Sequence, residues 1–345
     1  MPVVKLLREQ TIGETRWVAL DGRGEAAALY LERAHEDARR AVIGERLGAH
    51  VRKLDSGAGG AFVSLGAKGE GFLRLKPGET FAEGAAVAVE VAAEARRGKL
   101  ARVRLAGEGD APASGVAGWR ASLNGEAAAA VEDRAAGDSE VGAAFEEALS
   151  ASAVLRGGGR LQAERTEALI AADIDTAGRA ARGGKAAAAL AINLEAAGAL
   201  ARQMLLRGWG GLAVLDCVAP VDKDAGGRIR AAFLDAFRDV SSRQVKALAP
   251  SPFGLMEISA DWQVTPLAER MQDGPQTMAL GGLRQLEAAA RAQRMGRLSL
   301  ALPPPALAWL AQSGLGAEAR LAQTYGARLE IVTGQAGAAE VKPAG

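Results

Sequence analysis

The chain has 345 residues, a length that suggests two or three structural units, and 49% of them are hydrophobic, as in ordinary soluble globular proteins. Its 42 basic and 41 acidic side chains nearly cancel, which excludes the strongly basic balance of many nucleic-acid-binding proteins and leaves local basic clusters for such a role. With a single cysteine, the sequence excludes intramolecular disulfides and multi-cysteine zinc sites. With no signal-peptide pattern and no apolar run of about 18 residues, it predicts a cytoplasmic protein without a membrane span.

The first third of the chain is predicted to be all β. Residues 1–36 alternate apolar and polar positions around an Asp-Gly turn at Asp21, a pattern typical of a β-hairpin. Residues 37–106 contain five short strand-like segments separated by glycine turns, which indicates a small barrel of the OB-fold type. The predicted barrel strands are 49–54, 61–66, 71–75, 85–91 and 100–105.

A segment with weak hydrophobic periodicity follows the predicted barrel. Residues 107–140 are rich in small and acidic residues and predict a connection with one short helix, whereas residues 141–152 predict a clear helix. Residues 158–260 then alternate strand and helix patterns, which is typical of an α/β domain. Its strands are predicted at 161–164, 168–174, 212–216 and 245–248, and its helices at 193–207, with Asn193 as N-cap, and at 228–240.

The last part of the chain predicts a small additional unit. Residues 261–276 are polar and contain two prolines, which indicates a linker. Residues 277–335 predict an αβαβ unit with strands at 298–302 and 328–332, and residues 336–345 predict a disordered tail.

Two carboxylates end neighbouring strands of the predicted α/β domain. Asp173 and Asp216 each lie near the carboxyl end of an apolar strand, and a right-handed crossover helix would place both strands in one parallel sheet. Asp175 shares the face of Asp173, because side chains alternate along a strand. Such oxygen ligands suit Mg²⁺. The alternative is that all three are strand-end and turn carboxylates that bind nothing, since aspartate is frequent in turns.

Short motifs in this region resemble, in order, the core of the RNase E/RNase G endoribonucleases. The matching segments are TEAL at 166–169, DID at 173–175, RGG at 182–184, NLEAA at 193–197, ARQ at 201–203, LR at 206–207, GGL at 210–212, LD at 215–216 and FGLMEIS at 253–259.

This resemblance implies a metal-dependent hydrolysis of phosphodiester bonds in single-stranded RNA. Asp173 and Asp216 would hold one Mg²⁺ ion, and Asp175 would be a third catalytic group at a position that is usually Asn in the family. A metal ion of this kind lowers the pKa of a bound water and stabilises charge on the phosphoryl oxygens.

The resemblance extends to the predicted barrel, which is similar to the S-one type OB barrel of the family. Phe62 and Phe72 match the two aromatic residues that stack on RNA bases there. Without the resemblance, the favoured interpretation is that one or both rings belong to the barrel core, because small barrels need interior aromatic residues. Lys99 in the barrel and Arg182 in the core motif are the further candidates for RNA contacts.

The implied architecture is an α+β multi-domain fold in which the barrel is inserted in a small RNase H-like piece and a DNase-like α/β catalytic domain follows. Its units are 1–36 (hairpin of the RNase H-like piece), 37–106 (RNA-binding barrel), 107–157 (reduced connection), 158–260 (catalytic domain), 261–276 (linker), 277–335 (C-terminal αβαβ domain) and 336–345 (tail).

Several departures from the family pattern qualify this interpretation. The paired cysteines that form a zinc link are missing, so we expect no zinc, and a homodimer would need another interface. Residues 107–157 are too short for the family's sensor of 5′-monophosphate ends. Ala219 replaces an acidic residue, and residues 260–262 replace a basic run. A non-catalytic RNA-binding protein and a structural scaffold derived from the family are therefore the alternatives.

Overall fold

The structure is a computed structural model that describes residues 1–125, 130–179, 184–335 and 337–344. In these ranges the chain forms three sheets and a closed barrel. None of the helices among the described residues combines the length and the apolar character that crossing a membrane requires.

The N-terminal sheet begins as an antiparallel meander of three strands: β1 (Val3–Thr11), β2 (Glu14–Asp21) and β3 (Ala26–Arg33). The predicted hairpin is confirmed, and the Asp21 carboxylate accepts hydrogen bonds from the backbone N–H groups of Arg23 and Glu25 in its turn. After β3, the short helix α1 (Ala34–Asp37) leads into the barrel. The last strand of this sheet joins parallel to β1 only after the barrel is complete, so the barrel is inserted in the sheet.

The barrel contains the five strands that the sequence predicts, closed in the order β4-β5-β6-β8-β7. Alternation of side chains builds it, with register shifts in β4 and β7, because small and branched side chains such as Val51, Ala61, Val63 and Val103 fill the interior while most intervening residues point outward. The strands are β4 (Arg46–Asp55), β5 (Gly60–Ser64), β6 (Glu70–Arg74), β7 (Ala86–Ala93) and β8 (Ala101–Leu105).

The segment after the barrel contains more regular structure than its sequence predicts. The expected short helix is α2 (Val116–Ala121), and β9 (Val131–Arg134) is the strand that returns to the N-terminal sheet. The predicted helix at 141–152 is α3 (Ser139–Leu149), whose N-terminus is capped by Asp138. Its predicted end is wrong, because residues 152–154 pair with a neighbouring strand as β10 (Ser152–Val154).

The predicted alternation of strands and helices after residue 157 is confirmed. The strands form a six-stranded mixed sheet in the order β10-β11-β12-β13-β15-β14, and two helices pack their apolar side chains on one of its faces. The strands are β11 (Arg160–Arg165), β12 (Ile170–Asp175), β13 (Gly211–Asp216), β14 (Val245–Ala247) and β15 (Leu255–Ala260), and the helices are α4 (Lys185–Leu206) and α5 (Lys223–Val240).

The predicted role of Asn193 as the N-cap of the crossover helix is wrong. Helix α4 begins at Lys185, and Asn193 lies fully buried in its interior. The alanine-rich turn before Asn193 has high helix propensity and extends the helix toward its N-terminus. The Asn193 amide instead bonds both backbone groups of Val218, donating to its carbonyl oxygen and accepting from its N–H, each at 2.8 Å.

The C-terminal unit is a three-stranded sheet in the order β17-β16-β18 with helices packed against it. A short helix precedes it within the predicted linker. The elements are α6 (Leu267–Arg270), α7 (Gly274–Ala292), β16 (Leu298–Leu302), α8 (Pro304–Gln312), α9 (Ala317–Tyr325), β17 (Leu329–Thr333) and β18 (Glu340–Pro343).

Two predictions about this C-terminal region are corrected. The segment 261–276 is not a simple linker, because it contains α6 and the first turn of α7, and Arg270 is buried in it. The tail 336–345 is not disordered over its described part, since residues 340–343 form β18 and pair antiparallel with β16. Both segments have too few apolar residues to reveal these contacts in the sequence.

Candidate active site

Asp173 and Asp216 occupy equivalent positions on neighbouring parallel strands. The register pairs Ala172 of β12 with Leu215 of β13, and each aspartate is the next residue of its strand. Because adjacent strands lie about 4.8 Å apart, the two aspartates are lateral neighbours. Ala172 and Leu215 are buried in the core whereas both aspartates are exposed, so the two carboxylates leave the same open face of the sheet.

Two more side chains extend this row across the open face. Gln162 of β11 pairs with Asp173, and Leu255 of β15 pairs with Asp216. All four residues line a depression of about 530 Å³, together with Glu164 at the next exposed position of β11. Sequence reasoning missed Gln162 and Glu164, because the antiparallel register of β11 against β12 is set by the turn between them.

The chemistry of the depression suits a hard divalent cation. Mg²⁺ commonly takes one or two protein carboxylates and keeps several waters, and it also takes phosphate oxygens. In the described part of the chain, no three His, Cys, Asp or Glu side chains converge on one point. The protein would therefore contribute the two strand-end carboxylates, and water and substrate oxygens would complete the coordination shell.

The third predicted acid, Asp175, lies apart from this row. It is half-buried two positions further along β12, and its carboxylate accepts a hydrogen bond of 2.9 Å from the N–H of Ala177. The residue opposite it on β11 is Arg160, and Asp175 is not among the residues that line the depression. Its observed contact is that of a turn carboxylate.

An exposed aromatic residue lies in the turn next to Asp216 and was not predicted as a site residue. Phe253 is 89% exposed and lies in a tight turn before β15. The turn is fixed to the end of β13, because the Cys217 N–H donates to the Gly254 carbonyl oxygen at 3.0 Å. Gly254 has φ +86°, and a Cβ there would lie 3.8 Å from the Asp216 Oδ1 atom. The turn that contains Phe253 is therefore held close to Asp216, although Phe253 is not among the residues that line the depression.

The backbone behind the carboxylates is held by buried groups. Burial raises the pKa of the Cys217 thiol to about 11, so this side chain is a neutral core residue at physiological pH. The next residue, Val218, is bonded on both backbone groups by Asn193 of the crossover helix. The helix and the loop after β13 thus constrain the position of Asp216.

A row of basic and aromatic residues crosses the outside of the barrel. The strand registers pair Lys53 with Phe62, Phe62 with Phe72, and Phe72 with Arg102. The two half-buried rings lie 5.4 Å apart at 73°, an edge-to-face arrangement. Their strand neighbours, not these rings, fill the interior, so the alternative of core packing is wrong.

The two remaining residues predicted to contact RNA are Lys99 and Arg182, and the structure describes only Lys99. Lys99 is exposed in the turn between β7 and β8, where its backbone bridges to Arg96. Arg182 lies outside the described residues. The structure therefore places Lys99 at the barrel end and leaves the position of Arg182 a prediction.

The paired strand-end carboxylates lie on an open α/β sheet that follows an all-β barrel with an aromatic outer row, and together these units define a multidomain α+β protein. Residues 126–262 match the model of the Ribonuclease E/G family. The match confirms the resemblance of the core motifs at residues 166–259, and the barrel lies outside the matched residues.

Further comparisons add little. No curated protein matches the chain. A multidomain protein with nucleic acid binding domains from Streptococcus pneumoniae is 17% identical over 28% of this chain and 36% of that protein. The chain thus spans about a third of that protein, and the TM-score of 0.17 is too low to indicate a shared fold.

Proposed function

We propose that the chain is a Mg²⁺-dependent endoribonuclease of the RNase E/G type that cleaves single-stranded RNA in RNA processing or decay. The observation that carries this proposal is the parallel register that sets Asp173 beside Asp216 on an exposed sheet face, within the segment that matches the family. A divalent ion held there would supply an activated water and stabilise charge on the scissile phosphate.

The chain's own residues would supply the rest of the site. Asp173 and Asp216 hold the cation, and Gln162 places a neutral amide beside Asp173, where it can orient a water or a phosphate oxygen. Phe253 offers an exposed ring on which the base of a bound nucleotide can stack. Asp175 would act indirectly, by fixing the turn after β12.

We further propose that the barrel is an OB-fold that binds the RNA strand. Its strand order and the row of Lys53, Phe62, Phe72 and Arg102 support this, because aromatic faces stack on bases while cations track the backbone. The N-terminal sheet would be the reduced RNase H-like piece. Residues 107–157 contain α2, β9, α3 and β10, which join this short segment to the two sheets and support cleavage without 5′-monophosphate sensing.

The test is cleavage of an AU-rich single-stranded RNA with Mg²⁺ and with EDTA. Asp173→Asn and Asp216→Asn should each lower the Mg²⁺-dependent rate at least about 100-fold, because each removes charge that stabilises the transition state. Asp235→Asn, an exposed aspartate on α5, is the matched control and should retain the wild-type rate. RNAs with 5′-hydroxyl and 5′-monophosphate ends should be cut equally. Cleavage that survives in the Asp173→Asn, Asp216→Asn double variant would refute the proposal.

A non-catalytic RNA-binding protein is the second candidate. The observation that favours it is the lost charge near the site, where Ala219 is exposed and residues 260–262 contribute no basic side chain. This candidate expects salt-sensitive RNA binding that persists in both aspartate variants, with no Mg²⁺-dependent cleavage by the wild-type protein.

A further inference from the structure

Two arginines approach one tryptophan where the barrel meets the α/β sheet. Trp262 follows β15, and the Arg96 guanidinium lies over its ring, 4.4 Å from the centroid. The Arg165 guanidinium at the end of β11 lies 5.3 Å from the same centroid. Arg96 comes from the barrel and Arg165 from the sheet, so the tryptophan joins the two units through cation–π contacts.

Positive charge is in excess at this junction. Glu269 pairs with Arg165 and also accepts the backbone N–H of Arg97. Among the residues that the structure describes, Arg96 and Arg102 form no ion pair. Burial and the nearby charges of Arg102 and Arg165 lower the pKa of Arg96, against the opposing charge of Glu269, so the cations at this partly dehydrated place repel one another. An anion bound there would relieve this repulsion.

The junction continues the row on the outside of the barrel. Arg102 pairs with Phe72 across β6 and β8, and Phe72 pairs with Phe62. On the other side, the ring of Trp262 is fixed against the start of β13, since a Cβ at Gly211 would lie 2.9 Å from its Nε1 atom. The same strand carries Asp216 at its other end.

We propose that Arg96, Arg102 and Trp262 form a phosphodiester-binding site that takes the backbone of single-stranded RNA as it leaves the aromatic row of the barrel. The proposal rests on the RNA-binding function proposed above. It also gives a reason for the missing basic run after β15, because the barrel and β11 supply the cations at this place instead.

The test compares the binding of short and long RNA to the 345-residue chain. A fluorescently labelled oligouridine of about 5 nucleotides should occupy only the aromatic row of the barrel. One of about 15 nucleotides should occupy both the row and the junction. Arg96→Gln should weaken binding of the longer RNA about tenfold, since it removes a charged hydrogen-bond donor, and should leave the shorter RNA within about twofold. The slope of log affinity against log salt should fall by about 0.7 for the longer RNA only.

Two further variants control this experiment. Arg96→Lys retains the charge and should recover most of the salt slope, and Arg320→Gln removes an exposed charge on α9 and should change neither affinity. An equal effect of Arg96→Gln on both lengths, or no effect on either, overturns the junction site while RNA binding stands. Failure of the wild-type protein to bind either oligonucleotide overturns the proposed function as well.

Discussion

At the scale of single residues, Asn193 shows how one side chain can match two structural roles. An asparagine before an apolar helical stripe is a favoured N-cap, so the sequence indicates a helix start. The structure uses it as a buried bridge to Val218, two residues beyond Asp216. Both roles use the side-chain amide of Asn193. Because α4 begins at Lys185, Asn193 lies inside the helix and cannot cap it.

Asn193→Ala should lower the free energy of unfolding by about 1–3 kcal/mol, because it leaves the partly buried N–H and carbonyl groups of Val218 without their side-chain partner. Urea denaturation measures the change. The control is Gln244→Ala at an exposed position, which should change stability by less than about 0.5 kcal/mol. A similarly small effect of Asn193→Ala would show that the amide does not support the loop behind Asp216.

The two central carboxylates of the candidate site could be predicted from the sequence, whereas the residues around them could not. Asp173 and Asp216 could be brought together from the sequence, because a crossover helix between two apolar strands fixes their direction and neighbourhood. Gln162, Leu255 and Phe253 could not, since their positions depend on antiparallel registers and a tight turn that apolar patterning does not encode.

At the scale of elements, the sequence predicted the strands that bury one face in a core. It did not predict the short strands that are added at the edge of a sheet. The barrel strands and β11–β13 show the expected alternation or apolar runs. In contrast, β9, β10 and β18 are three or four residues long and gain their stability from pairing with a formed neighbour. Short polar segments of this kind look like loops in a sequence.

The strand β18 can be tested with a matched pair of substitutions. Val341 pairs with Leu300 and packs against the C-terminal core, whereas Lys342 is exposed on the other face. Val341→Ser should lower stability by about 1 kcal/mol, because a half-buried apolar side chain is lost, and Lys342→Ser should change it by less than about 0.5 kcal/mol. Thermal unfolding distinguishes them; equal and negligible effects would mean that the tail does not pair with β16.

At the scale of the whole molecule, the N-terminal sheet is joined to the C-terminal unit by the turn between β1 and β2. Ile12 packs in the C-terminal core, and its N–H donates to the Glu287 carboxylate of α7 at 2.8 Å. Gly13 is packed so closely that a Cβ there would lie 2.6 Å from Leu315. The contact joins residues 275 positions apart, so no local pattern predicts it.

This contact should make stability depend on pH. Burial raises the pKa of Glu287, against the opposing effects of the hydrogen bonds from Ile12 and Tyr325 and the charge of Arg291. Since its folded-state pKa lies above the unfolded value of about 4.3, the folded state holds the proton more tightly, and this contribution is lost as pH rises through the elevated value.

Glu287→Gln keeps an oxygen acceptor for the Ile12 N–H and cannot ionise. The stability of this variant relative to wild type should therefore increase as pH rises from about 4 and become constant once Glu287 is fully ionised in the folded wild type. Urea denaturation at a series of pH values measures the difference, and Glu318→Gln at an exposed position of α9 should show no comparable rise. A difference that is independent of pH would mean that Glu287 titrates normally and that the contact between the two units is open to water.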